Sequence, residues 1–104
     1  MIRILLVPEQ AAVPVDQKGP PTLEQMHEWT GIPRGYFQVV EITCGEKHEP
    51  AQIWMDEEGK YRDPCIINKF ATTLYHGWMA RHKIPLDDVI VGNCVLLTAE
   101  HLCD

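Results

Sequence analysis

The sequence has 104 residues, of which 45% are hydrophobic and 23% are charged, and its formal net charge is −6. A chain of this length is expected to form one domain that buries roughly two thirds of its unfolded surface, which suffices without metal or disulfides. The acidic excess works against nonspecific binding to nucleic acid, because that binding needs basic residues that displace counterions from phosphates. We therefore expect no direct binding to DNA.

The sequence also shows no targeting or membrane signal. Its longest apolar runs, 4–7 and 94–97, are far shorter than the roughly 20 residues that cross a bilayer. The short N-terminal apolar stretch reaches Pro8 and Glu9 too soon for a signal or transit peptide. We therefore expect a cytoplasmic protein without membrane contact. Its four cysteines should stay reduced: Cys44, Cys65, Cys94 and Cys103.

Four segments of the first half have the composition of strands. Residues 2–7 are β-branched and Leu-rich and break at Pro8, which predicts a buried strand. Residues 13–15 predict an edge segment, while 36–42 and 51–55 combine aromatic and β-branched residues. The short connection between the last two predicts an antiparallel pair.

A helix is predicted over 23–30. Thr22-Leu23-Glu24-Gln25 fits a capping box, in which the Thr hydroxyl and the Gln amide satisfy unpaired backbone groups. Gly31 can take the left-handed conformation that ends a helix. The apolar residues share one third of the helix circumference: Leu23, Met26 and Trp29.

After the strand at 51–55, residues 56–60 are typical of a tight reversal. Gly59 is expected to supply a positive φ angle there, and residues 61–62 are expected to begin a short return strand.

The second half predicts a long helix and a last strand. Asn68 is a plausible N-cap for a helix over 69–82. A strand is predicted over 89–98, with a bulge or a close backbone approach at Gly92, and a flexible tail over 98–104. The apolar face of the helix comprises Ala71, Leu74, Tyr75, Trp78 and Met79, and the opposite face comprises Thr72, His76, Ala80 and Lys83.

The order of these elements predicts a single α+β domain over 1–104. We expect a small mixed, mostly antiparallel sheet of four to five strands with two helices packed on one face.

Three segments of the chain resemble motifs of one protein family. Asp56-Glu57-Glu58-Gly59-Lys60 resembles an Asn-Glu-Glu-Gly-Lys turn, and Asn68-Lys69-Phe70-Ala71-Thr72 resembles an Asn-Arg-x-Ala-Thr segment. Asp88-Val89-Ile90-Val91-Gly92 resembles a closing Asp-x-Ile-x-Gly strand. With these motifs the chain resembles the phage and bacterial family named domain of unknown function 3846. The resemblance implies a small accessory protein of a phage or mobile element, and it brings no catalytic residues with it.

Patterns for catalysis or metal binding are weak. Cys44-x-x-x-His48 and His101-x-Cys103 together offer four zinc ligands, but neither spacing is a zinc signature. The acidic residues of 56–58 lack the alternation of a calcium loop. There is no Gly-rich phosphate loop and no nucleophile elbow. We expect no catalytic residue, metal or cofactor, and keep a small metal- or Cys/His-dependent hydrolase as the competing class.

Aromatic and basic residues are the candidates for binding a ligand or partner. If Ile53 and Met55 face the core, alternation points Trp54 away from it, toward a partner surface or a second covering layer. A stacking platform with basic residues suits a nucleotide-like ligand. The candidate residues are Trp54, Tyr61, Arg62, Lys69, Tyr75, Trp78 and Arg81.

The favoured hypothesis is a non-enzymatic accessory protein that binds a host factor. One form of it is a counter-defence protein that sequesters a nucleotide-like immune signal at an aromatic-lined interface of a homo-oligomer. The alternative is an inhibitor or adaptor that captures a host protein through an exposed strand edge or the Trp54 surface.

Overall fold

The computed structural model describes residues 2–98 and 101–103, which form one antiparallel sheet and two α-helices. The predicted α+β class is confirmed, with a sheet that is antiparallel throughout rather than mixed. Neither of these helices has the length and apolar character needed to cross a bilayer. The strands are β1 (Ile2–Leu6), β2 (Ala11–Val15), β3 (Phe37–Cys44), β4 (Glu49–Asp56) and β5 (Cys94–Thr98), and the helices are α1 (Leu23–Thr30) and α2 (Lys69–Arg81).

The strand order is β2-β1-β5-β4-β3, so the two outer strands are β2 and β3. The last strand of the chain occupies the centre, between β1 and β4. Four consecutive apolar residues of β5, from Cys94 to Leu97, are buried. A strand that is apolar at every position must be covered on both faces.

The two helices pack on opposite faces of the sheet, and the prediction that both cover one face is wrong. Ile53 of β4 belongs to the core cluster that contains Ala71 of α2. Its neighbour Trp54 packs against the other cluster, which contains Met26 of α1. Alternation along β4 separates these two side chains, and the continuous apolar run of β5 needs cover from both sides.

Both ends of α1 are built as predicted. The Thr22 hydroxyl accepts a hydrogen bond from the Gln25 amide at 3.1 Å, and the Gln25 side-chain oxygen accepts one from the Thr22 amide at 2.9 Å. Gly31 has φ 81°, and its N–H donates to the His27 carbonyl at 2.7 Å. The capping box and the left-handed glycine therefore satisfy backbone groups at both ends of the helix.

Asn68 caps α2 as predicted, and it also joins three separate parts of the chain. Its side-chain oxygen accepts from the Ala71 amide at 3.1 Å. Its side-chain nitrogen donates to the Leu5 carbonyl in β1 at 3.0 Å and to the Gly92 carbonyl at 2.9 Å. Only 1% of Asn68 is exposed, so water does not replace these bonds. One buried amide fixes α2 against β1 and against the approach to β5.

The last strand is shorter than the predicted 89–98, because the 88–92 segment lies against α2 instead of extending β5. The Thr72 hydroxyl accepts from the Ile90 amide at 3.0 Å and donates to the Ile90 carbonyl at 3.2 Å. One turn further along α2, His76 Nε2 donates to the Asp88 carbonyl, at the start of the segment, at 2.6 Å. The polar face of α2 thus supplies the partners that a buried irregular segment needs.

A turn follows β4 as predicted, but the positive φ angle of Gly59 and the return strand at 61–62 are wrong. A 3-10 turn, Gly59–Tyr61, follows β4 and docks against the 88–92 segment. Gly59 does not have a positive φ angle. It is required for space, since a Cβ there would lie 2.8 Å from Val91 Cγ2. The Lys60 ammonium forms an ion pair with the Asp88 carboxylate, whose pKa this hydrogen bond holds below its usual range.

The predicted tail over 98–104 differs from the structure wherever it is described. Thr98 is the last residue of β5, and His101 is only 5% exposed. The Cys103 amide donates to the Gln52 side chain at 2.9 Å, and Gln52 returns a bond to the Cys103 carbonyl at 2.7 Å. Residues 99, 100 and 104 lie outside the described part. The buried Gln52 explains the packing, because its amide needs backbone partners.

Replacing Asn68 by Ala is expected to destabilise the protein by about 3 kcal/mol, since it removes the helix cap and leaves two carbonyls without their donor. Thr22→Ala is the matched control, which removes only a cap and should cost about 1 kcal/mol. Urea unfolding followed by circular dichroism measures both values. Equal losses in the two variants would contradict the joining role of Asn68.

Gly59→Ala is expected to destabilise by about 1–3 kcal/mol, because the new methyl group collides with Val91. A glycine that served only as a flexible residue would instead give a small gain on this change. A double-mutant cycle with Val91→Ala should recover about 1 kcal/mol of the loss. Additive losses would show that the close approach is not the cause.

Candidate functional site

The outer edge of β3 is the candidate site, and the hydrogen-bond register shows which backbone groups face outward. The Glu57 amide donates to the Tyr36 carbonyl at 2.8 Å, in line with the antiparallel register of β3 and β4. Because bonding alternates along an antiparallel strand, the even-numbered residues of β3 bond to β4. The odd-numbered residues direct their N–H and C=O groups away from the sheet: Phe37, Val39, Glu41 and Thr43.

Arg81 supports this alternation and limits the free stretch. Its Nη2 donates to the Thr43 carbonyl at 2.6 Å, which places that carbonyl on the outer side. At the other end, the 3-10 turn Arg34–Tyr36 precedes the strand. Among the described residues, none outside the β3–β4 ladder forms a hydrogen bond with the backbone of Phe37, Val39 or Glu41. We call residues 37–41 the β3 edge.

The β3 edge has few of the usual devices that block edge-to-edge pairing, and its one charged side chain is Glu41. The strand is eight residues long and contains no proline, lysine or arginine. The opposite outer strand, β2, is five residues long and contains Pro14, which removes a backbone donor. The sheet is therefore guarded at one edge and open for pairing at the other.

Apolar side chains flank the β3 edge on the α1 face of the sheet. The rings of Phe37 and Trp54 meet edge to face with 6.1 Å between their centroids. Val39, paired with Trp54 in the register, is 36% exposed. Trp54 is half-buried, and its indole N–H donates to the Gln52 side chain at 3.1 Å. The second layer therefore covers much of Trp54, and Val39 is the side chain that extends the apolar surface outward.

The rings of Tyr75 and Trp78 in α2 lie on the other face. Tyr75 and Trp78 stack at 6.2 Å with an interplanar angle of 13°, and Trp78 meets His82 at 4.8 Å. Tyr75 and Trp78 pack at the margin of the core cluster that includes Ile42. The aromatic side of α2 thus runs beside β3.

The structure does not bring the seven predicted binding residues together. Tyr75, Trp78 and Arg81 share α2 beside β3, while Trp54 lies on the opposite face. Tyr61 is largely exposed in the 3-10 turn after β4.

Arg62 and Lys69 occupy two further places. Arg62 Nε donates to the Asp56 carboxylate at 2.7 Å, and its guanidinium lies 5.4 Å from the centre of the Tyr36 ring. The Lys69 amide, at the start of α2, donates to the Gln10 side chain at 2.9 Å. The Arg62 side chain is engaged in local contacts, and neither Arg62 nor Lys69 extends the aromatic group of Tyr75 and Trp78.

The thiols and histidines form no common centre. Cys44 packs with the α2-side cluster and Cys103 with the α1-side cluster, so the two predicted Cys/His pairs meet opposite faces of the sheet. Within residues 2–98 and 101–103, no three His, Cys, Asp or Glu side chains are placed to share a metal ion. Burial raises the pKa of the Cys94 thiol to about 12, so this thiol stays protonated at neutral pH.

The sequence predicts an exposed strand edge in general but does not identify which strand provides it. The absence of proline and lysine from β3 is a readable signal. The outer position of β3 is not, because it depends on β5 entering the sheet between β1 and β4.

Comparisons with protein-family models, with curated proteins and with solved structures found no match to this chain. The resemblance to the phage family therefore stays a prediction.

Cysteine reactivity provides a check on this arrangement. A thiol reagent at pH 8 should modify the exposed Cys65 quickly and leave the buried Cys94 unmodified until the protein unfolds. Mass spectrometry of peptides after timed labelling measures both rates. Fast labelling of Cys94 in the folded protein would contradict its inert position in the core.

Proposed function

We propose that this protein is a non-enzymatic binding protein that takes up an extended segment of a partner polypeptide along the β3 edge. The observation that supports this is the row of outward backbone groups at Phe37, Val39 and Glu41, in a strand without proline, lysine or arginine. Addition of a strand to an open sheet edge is a common mode of peptide recognition, in which the backbone provides much of the affinity.

Side chains beside the edge decide which segment fits. A backbone hydrogen bond contributes a net of about 0.5–1.5 kcal/mol, whereas association costs an estimated 4 kcal/mol or more. Backbone pairing alone therefore gives weak binding, and apolar contacts must add to it. On the α1 face, these contacts are offered by Phe37 and Val39. The preferred segment therefore carries apolar side chains at alternate positions on that face.

The resemblance to the phage family favours a host polypeptide as the partner, bound in the cytoplasm of a bacterial cell. An inhibitor or adaptor role follows from such capture, because a segment paired with β3 is withheld from its other contacts. No cofactor or metal takes part in this proposal.

A nucleotide-like ligand is the second candidate, because Tyr75, Trp78 and Arg81 are the predicted residues that do lie together. Two features place it second. The Trp78 ring already contacts Tyr75 and His82, and the Arg81 guanidinium already binds the Thr43 carbonyl. A base and a phosphate would have to compete with these contacts.

A thermal-shift panel of nucleotides tests the second candidate. A ligand that stacks on α2 should raise the melting temperature of the wild type without being consumed, and Trp78→Ala should abolish the shift. Consumption of the ligand would instead indicate an enzyme.

The first candidate predicts that Val39→Pro abolishes peptide binding and spares the fold. The Val39 N–H points outward, so proline removes a donor from the β3 edge and none from the β3–β4 ladder. Val39→Thr is the matched control, since it keeps the N–H and the β-branched shape. The probes are peptides selected from a random library on sparsely immobilised wild-type protein, with affinity measured by fluorescence anisotropy.

The expected result is at least a tenfold weaker affinity in Val39→Pro and little change in Val39→Thr. Circular dichroism and the melting temperature establish that both variants fold. Selected peptides that bind Val39→Pro as tightly as the wild type would contradict the proposal, as would a library that yields no binder at all.

A further inference from the structure

We infer that, when no polypeptide partner is bound, the β3 edge of one copy pairs with the β3 edge of a second copy, with the two Val39 residues directly opposite each other. This inference rests on the proposed function, because both assign to the β3 edge the role of accepting a strand.

The limits of the β3 edge determine the register of such a pair. Only odd-numbered residues can exchange hydrogen bonds across the new seam, because the even ones bond to β4. Thr43 is unavailable while its carbonyl binds Arg81, and the 3-10 turn ends at Tyr36. The window that remains, residues 37–41, has Val39 at its centre. With a two-fold axis at Val39, all three residues whose backbone groups point outward therefore form hydrogen bonds across the seam.

In this register, three facing pairs form: Phe37 with Glu41 of the second copy, Val39 with Val39, and Glu41 with Phe37. Each pair exchanges two backbone hydrogen bonds. The other symmetric registers are worse. An axis at Gln38 would bring Glu41 opposite Gly35, which lies in the 3-10 turn and outside the strand.

Registers with the axis shifted toward the C-terminal end of β3 are disfavoured for other reasons. An axis at Val40 would bring Phe37 opposite Thr43, whose carbonyl would have to leave Arg81. An axis at Glu41 would place two carboxylates opposite each other, which is destabilising. Only the Val39 register pairs all three outward residues of the strand without displacing Arg81 or placing like charges opposite each other.

Side chains support the same register on the α1 face. Val39 is 36% exposed in one copy, and contact with its equivalent across the axis removes this apolar surface from water. Phe37 lies beside the aliphatic stem of the opposite Glu41, whose carboxylate stays at the surface. The Phe37–Trp54 pairs of the two copies then flank one continuous apolar strip.

The assembly would join two five-stranded sheets into one continuous sheet with both α2 helices on the same face. This arrangement covers the open stretch of the strand, residues 37–41, which in isolation is a hazard for aggregation. It also makes partner capture compete with dimerisation, so that a bound polypeptide should dissociate the pair.

Light scattering coupled to size exclusion, over a range of protein concentrations, tests the dimer. The wild type and Val39→Thr should show a concentration-dependent doubling of mass, and Val39→Pro should stay monomeric at all concentrations while folded. A wild type that is monomeric throughout would overturn the inference, and so would a Val39→Pro protein that dimerises like the wild type. Either result leaves the peptide-binding experiment to decide the proposed function separately.

Cysteine cross-linking tests the register in which the two β3 strands pair. In a Cys65→Ser background, which removes the exposed thiol, Val39→Cys should form an intermolecular disulfide under mild oxidation. Glu41→Cys is the matched control on the same face of the same strand. In the Val39 register, the two Glu41 positions lie about 13 Å apart along the strands, too far for a bridge. Cross-linking of Glu41→Cys in preference to Val39→Cys would overturn the proposed register.

Discussion

The buried amide of Asn68 is the interaction on which the arrangement of this chain depends. It joins the start of α2 to β1 and to the end of the 88–92 segment, three parts that are far apart in sequence. Thr72 and His76 continue the same polar stripe along α2 and hold the rest of that segment. Because the segment leads into β5, these contacts position the central strand of the sheet. The outer position of β3 is a consequence, since β5 occupies the place between β1 and β4.

The sequence correctly predicts those features of the fold that depend on residues close together in the chain. The capping box at Thr22, the left-handed Gly31 and the N-cap Asn68 depend on groups within a few residues, and the structure has all three. The helix over Lys69–Arg81 and the strands of the first half followed from periodicity for the same reason.

The predictions that are wrong concern segments whose structure is determined by residues distant in sequence. The stretch 89–93 has the composition of a strand, but it bonds to Thr72 of α2 and to the backbone of residues 66–68 and lies outside the sheet. Gly59 looked like a residue of a reversal, yet its role is to allow contact with Val91, 32 positions later in the chain. The helices were expected on one face, although the unbroken apolar run of β5 already indicated cover on both. The candidate site also depends on long-range contacts, since the order of all five strands determines which strand lies at the edge of the sheet.

The backbone groups of Phe37, Val39 and Glu41 face solvent in the single chain and are available to another strand. Residue-resolved amide hydrogen exchange tests it most directly, because the inward amides of the same strand serve as internal references. We predict slow exchange at Gln38, Val40 and Ile42 at every concentration. The amides of Phe37, Val39 and Glu41 should exchange fast in dilute protein and become protected as the concentration rises or when a selected peptide is added. Strong protection of these three amides in dilute monomeric protein would contradict the account, because their own chain would then already satisfy them.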